Sequence, residues 1–259
     1  MMDADRATDG PRPAVIAPDD SVWEALPDQA GEYSVRIDMA RVGAPNLVQR
    51  LIQLEVEAEL VEKHSHSEDV LYVITGTGRA TYGGHDIPLR PGLGMLVPVG
   101  TEYRIHADTP LQLLSVLAPP PGHPDMLAPA DAAVDQRPWI HESEEEVIPA
   151  GDDPERELMD RYFKLMIDPR HGAHYVTQFL GFIERSKAAP HTHTYDEVIY
   201  ITGGEGFVHI GDGSHPIGPG HSVYLPPGSV HCLENRTAEP LALLGVFCPA
   251  GSPREREKA

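Results

Sequence analysis

Two cysteines in 259 residues, Cys232 and Cys248, are too few for a disulfide framework, and nothing in the sequence points to a secreted context. Basic side chains are scarce as well. Twenty Lys and Arg stand against forty Asp and Glu, a formal charge of −20, which argues against nucleic acid and anionic membrane surfaces as partners. No apolar run approaches the roughly 18 residues of a membrane span. Met1 to Asp20 is acidic and carries proline, without the basic and apolar regions of a signal peptide, so the cytoplasm is the expected location. What is plentiful is Gly (24) and Pro (26), and many turns are expected.

Residues 1–30 read as an extension in which only Val22 to Leu26 has the pattern to dock on the rest of the chain. From Tyr33 the chain alternates apolar and polar (Tyr33, Val35, Ile37, Met39). Strand-like patches follow at Leu47 to Val61, Asp69 to Ile74, Thr81-Tyr82, Gly94 to Pro98 and Leu111 to Leu117, all broken by Gly and Pro. This is the pattern of a small all-β barrel or sandwich. A shift of 128 positions then superposes Val70-Leu71-Tyr72 on Val198-Ile199-Tyr200, Pro91-Gly92 on Pro219-Gly220, and Pro98-x-Gly100 on Pro226-x-Gly228 without a gap. With small shifts Gly43-Ala44 matches Gly172-Ala173 and Pro110-Leu111 matches Pro240-Leu241. The chain therefore reads as one barrel written twice, at 31–122 and 158–250. An acidic, Pro-rich linker (123–157, with the run Glu142 to Glu146) lies between the copies and a charged tail (251–259) comes last.

The second copy carries a metal-ligand constellation. His191 and His193, two apart on a strand, share a face. Glu197 has the same parity, but four strand residues span about 13 Å, so the chain must bend between Thr194 and Asp196 to bring the carboxylate back to the imidazoles. His231 follows the turn signal Pro226-Pro227-Gly228. Three imidazoles and one carboxylate suit a single divalent Mn, Fe, Ni, Zn or Cu ion. Tyr195 sits in the bend, Gln178 and Phe182 are candidates for the pocket mouth, and His209 lies on a strand from which it could face a cavity. His171, His174, His215 and His221 read as turn or surface residues, and Cys232 alternates away from His231.

These residues resemble the cupins, antiparallel jelly-roll barrels (double-stranded β-helices) with a first motif G-x5-H-x-H-x3,4-E-x6-G and a second, G-x5-P-x-G-x2-H-x3-N. His191, His193, Glu197 and Gly204 fit the first except for its leading glycine. Gly220, Pro226, Gly228, His231 and Asn235 fit the second without departure. The resemblance implies a bicupin, all-β, with His191, His193, Glu197 and His231 as metal ligands, one ion per chain, and a possible homodimer.

In the first copy the 128 register puts Asp69 at Glu197 and Tyr103 at His231, while Lys63 and Ser65 fall on the two histidines. His64 and His66 are one residue out of phase, which on a strand means the opposite face. Either a bulge returns both to the interior, making a His64, His66, Asp69 and Tyr103 set, or both point outward and the site is vacant. The ungapped flanks favour vacancy, and a structural role for the first barrel.

Among cupin activities, the resemblance implies first a quercetinase-like dioxygenase acting on a small enolic, phenolic or β-dicarbonyl substrate, with Glu197 also able to serve as general base. The alternatives are non-redox chemistry of the lyase, isomerase, decarboxylase or aminohydrolase kind, or small-molecule binding without turnover.

Overall fold

The computed structural model describes residues 10–27, 30–120, 139–141, 148–149, 161–253 and 257–258. The first seven-stranded sheet runs, in spatial order, Trp139–His141, Gly94–Val97, Glu68–Thr75, Leu111–Ala118, Val48–Leu54, Gly31–Ile37 and Glu24–Ala25. It faces a four-stranded sheet of Glu59–Lys63, Glu102–Ala107, Gly78–Tyr82 and His85–Leu89. All these pairings are antiparallel. The second half repeats the scheme. Its large sheet is ordered Ala14–Ile16, Ser222–Leu225, Asp196–Gly203, Leu241–Cys248, Thr177–Ile183, Arg161–Ile167 and Ile148–Pro149. Its small sheet is ordered Gly213–Ile217, Gly206–Ile210, His231–Glu234, His191–Thr192 and Glu257–Lys258.

Alternation along the strands of the large sheets sends one set of side chains into each barrel and the other set to the space between the barrels, while the first small sheet turns its alternate side chains to solvent. Leu60, Leu71, Tyr82, Tyr103 and Ile105 fill the first interior. Phe163, Phe179, Ile199, Val223 and Phe247 fill the second. Ile37, Leu47, Val70, Leu114, Val198, Tyr224 and Val246, drawn from both halves, form a third core in which the large sheets meet. Buried polar groups tie that interface. Glu68 accepts backbone N–H bonds from His174, Tyr175 and Val176, and Asn46 Nδ2 donates to Asp196 Oδ2 at 2.6 Å.

Two segments depart from the sequence reading. Tyr33 to Ile37 is strand, but the alternation stops there: Asp38 Oδ1 accepts from Arg41 N and caps a single helical turn, Met39–Val42, leaving Met39 exposed. The extension before the first barrel also serves both halves. Glu24–Ala25 pairs with the first barrel and Leu26 enters its core, whereas Ala14–Ile16 completes the large sheet of the second. Trp139–His141 does the reverse, joining the first barrel from the segment that precedes the second. The remainder of the 123–157 linker, with Glu142 to Glu146, lies outside the described residues apart from Ile148–Pro149.

Candidate metal centre

Within the second barrel His191 pairs directly with His231 across two antiparallel strands, and their ring centroids are 4.4 Å apart. Cross-strand partners share a face, so both rings point inward. His193 comes two residues later, with its ring 5.0 Å from His191 and 5.4 Å from His231. Its carbonyl accepts from Gly228 N at 2.8 Å, so the Pro226-Pro227-Gly228 turn is pinned against the first ligand segment. Gly228 has φ +76°, a conformation costly for any residue with a Cβ. The bend at Thr194 and Tyr195 then carries the chain into the opposite sheet, where Glu197 lies across from Phe247 and Leu225. The four residues thus meet between the sheets, three from one wall and one from the other.

The ligand nitrogens of His191, His193 and His231 all lie within 4.8 Å of one another. Glu197 Oε2 is buried without a hydrogen-bond partner, 3.2 Å from His231 Nε2 and 3.6 Å from His193 Nε2. Two donors bound about 2.1 Å from one ion sit about 3.0–3.4 Å apart, so these spacings fit a shared divalent cation. The outer bonds agree. His191 Nδ1 donates to the Ala189 carbonyl at 3.0 Å and His231 Nδ1 to the Ser229 carbonyl at 2.9 Å, which leaves both Nε2 lone pairs for an ion. Burial pushes the Glu197 carboxyl up, but positive charge on His231 first, then on His193 and His191, outweighs it and holds the group at about 2, and a cation shared by the three rings would supply that charge in the same place. It is ionised across the physiological range.

The ligands open into a pocket of about 80 Å³ walled by Phe163, Phe179, Phe182, Leu243 and Phe247, with Arg161 also lining it. Phe182 therefore lines the pocket. Gln178 does not: it turns to the interface between the barrels, where a Cβ on Gly94 would lie 2.8 Å from its Oε1. Tyr195 stacks on the back of His193 (5.0 Å, 14°) and donates to the Ser252 carbonyl at 2.6 Å, so it supports a ligand ring from outside the pocket. His209 points out of the barrel to Glu234, 2.8 Å away, because the inward position on that strand belongs to Val208. Asp196, one residue from Glu197, faces the other way and accepts from Tyr224 and Asn46.

The first barrel corrects the sequence reading most. Gly100 N donates to the His64 carbonyl at 2.8 Å, as Gly228 N does to His193, and Glu62 lies opposite Tyr103 as His191 lies opposite His231. The counterparts are therefore Glu62 for His191, His64 for His193, Asp69 for Glu197 and Tyr103 for His231. His64 points inward and His66 is exposed, so neither the outward pair nor the inward pair is found. The cause is one extra residue: five positions separate His64 from Asp69 where four separate His193 from Glu197. The motif's own x3,4 tolerance is the sequence signal for it, whereas Glu62, not being a histidine, carries no such signal.

A doubled antiparallel barrel with a His-rich site between its sheets defines a two-barrel β protein with a candidate metal site. The family model for the cupin domain matches residues 51–117 and 182–247, and the chain belongs to the cupin family as a bicupin. A search of curated proteins finds no match. Among solved structures, a protein designated glyoxylate-induced from Pseudomonas aeruginosa is similar at 16% identity and TM-score 0.78, over 100% of this chain and 96% of that one. Protein Ylba from E. coli is similar at 16% identity and TM-score 0.72, over 98% and 97%. A variant oxalate decarboxylase from Bacillus subtilis is similar at 15% identity and TM-score 0.69, over 90% and 76%. At these identities the likeness is one of fold.

Proposed function

We propose that the second barrel is the catalytic centre of a metal-dependent bicupin enzyme, a dioxygenase acting on a small enolic, phenolic or β-dicarbonyl compound. The observation that carries this reading is the pocket: the ligand set opens onto aromatic and aliphatic walls rather than onto a lattice of hydrogen-bonding groups. His191, His193, His231 and Glu197 would hold the ion. When bound, it supplies Lewis acidity and, if redox-active, electron exchange with dioxygen. Phe179, Phe182 and Phe247 orient a flat conjugated substrate and exclude water. Glu197 Oε2, ionised and buried at the pocket floor, is the group placed to take the proton from an enol or phenol hydroxyl.

Arg161 among the pocket-lining residues favours a second reading, Lewis-acid chemistry on a carboxylate substrate without oxygen. One experiment separates the two. Protein purified with its native ion is assayed for oxygen uptake with flavonols, catechols and β-diketones. Uptake that disappears in Glu197→Gln supports the dioxygenase, and turnover that persists without oxygen moves the assignment to the second reading.

A further inference from the structure

In the first barrel a side chain stands where the second would hold its ion. Arg50, on Val48–Leu54, enters the interior directly opposite Ser115 and is 8% exposed. Its Nε donates to Ser115 Oγ at 3.0 Å and its Nη1 to Glu62 Oε1 at 2.8 Å. Its Nη2 donates to Glu62 Oε2 and, at 3.4 Å, to Asp69 Oδ2. Nη2 is also 3.4 Å from His64 Nε2. Tyr103 donates to Asp69 Oδ2 at 2.9 Å and to Glu62, and Ser115 donates to Asp69 Oδ1 at 2.7 Å. The guanidinium is thus ringed by the counterparts of His191, His193, Glu197 and His231.

The ligand atoms of Glu62, His64 and Asp69 nonetheless lie within 4.8 Å of one another, the spacing found in the His191, His193 and His231 group. One nitrogen and two carboxylate oxygens form a donor set for a hard divalent ion. Two buried carboxylates require a positive charge beside them, and an arginine supplies one that never deprotonates. The residue at Arg50's place in the second barrel is Phe179: it pairs with Gly245 as Arg50 pairs with Ser115. It carries no charge, so positive charge beside Glu197 has to come from the imidazoles or from an ion taken up from solution.

We propose that the first barrel retains a latent metal site, kept closed because the Arg50 guanidinium is its built-in cation. The single position occupied by Arg50 in one half and Phe179 in the other decides which barrel takes up an ion. The first barrel keeps a positive charge beside its carboxylates whether or not metal is available, and serves as the metal-independent half of the molecule.

The test is metal stoichiometry by mass spectrometry after equilibration with Mn(II) and gel filtration, on the full chain. It starts from His193→Ala/His231→Ala, which disables the second site and makes the result independent of the function proposed for it. That variant is expected to hold no Mn while Arg50 is present, and one ion per chain after Arg50→Ala is added. Arg50→Ala alone is expected to hold one ion more than the wild type, with a melting temperature that rises on adding Mn. An ion retained in the first barrel with Arg50 intact overturns the proposal. So does a folded Arg50→Ala chain that gains no ion, or one that stays unfolded in saturating Mn, because the ion should replace the lost charge.

Discussion

Phe179 lies across Gly245, its ring filling the space that any side chain at 245 would need. The ring packs on Phe247 (4.8 Å between centroids) and edge-on to Phe163 (6.3 Å), so it has no slack on the core side. Gly245→Ala is therefore expected to displace Phe179 towards the pocket and to cost about 1–3 kcal/mol, the range for overpacking a filled core. Thermal unfolding measures the loss. Adding Phe179→Ala to Gly245→Ala should recover part of it, and strictly additive losses would count against a clash between these two groups.

Removing a ligand should separate the two barrels. His231→Ala and Glu197→Gln are each expected to leave little bound metal after dialysis against a chelator, because the first deletes a donor and the second the anionic charge at the point where the two sheets converge. His64→Ala should leave the metal content unchanged, since the cation beside His64 is Arg50. Equal losses in His64→Ala and His231→Ala would refute that difference.

How much of this could be read beforehand depends on the range of the interaction. His191, His193 and Glu197 lie within seven residues, and the glycine turn before His231 is local chemistry, so their convergence was legible. So was the duplication, through paired turns such as those ending at Gly100 and Gly228. Arg50 was not: its partners Glu62, Asp69 and Ser115 lie 12, 19 and 65 positions away, on three other strands. Nor did periodicity distinguish the inside of a barrel from the interface, which is why Gln178 looked like a pocket residue. Both faces of the large sheets are buried, and alternation alone does not say against what.

Glu68 should give the interface a pH dependence. Burial raises its carboxyl to about 7 against an ordinary 4.5, although three backbone N–H groups pull it down. A group with a raised native pKa binds its proton more tightly in the folded state. Its contribution is complete below about pH 4.5 and is lost as the pH climbs through about 7. Between pH 5 and 8 the melting temperature of the wild type is expected to fall relative to that of Glu68→Gln, which has no proton to lose. Parallel curves for the two proteins would show that Glu68 does not titrate in this window.

Residues 251–253 and 257–258 lie against one side of the candidate metal centre. Gly251 packs against the ring of Tyr195, Ser252 accepts from its hydroxyl, Pro253 borders the pocket, and Glu257–Lys258 pairs with His191–Thr192. These contacts hold the backbone of His191 and the ring behind His193, but they supply no donor atom to the ion. Deleting residues 251–259 should therefore leave the metal stoichiometry at one while speeding loss of the ion to a chelator several-fold. Tyr195→Phe, which removes one hydrogen bond of about 1 kcal/mol, should speed it less. The exchange rate into excess EDTA, followed at a fixed temperature, measures both. A deletion variant that holds its ion as long as the full chain would show that the strap leaves the centre's accessibility unchanged.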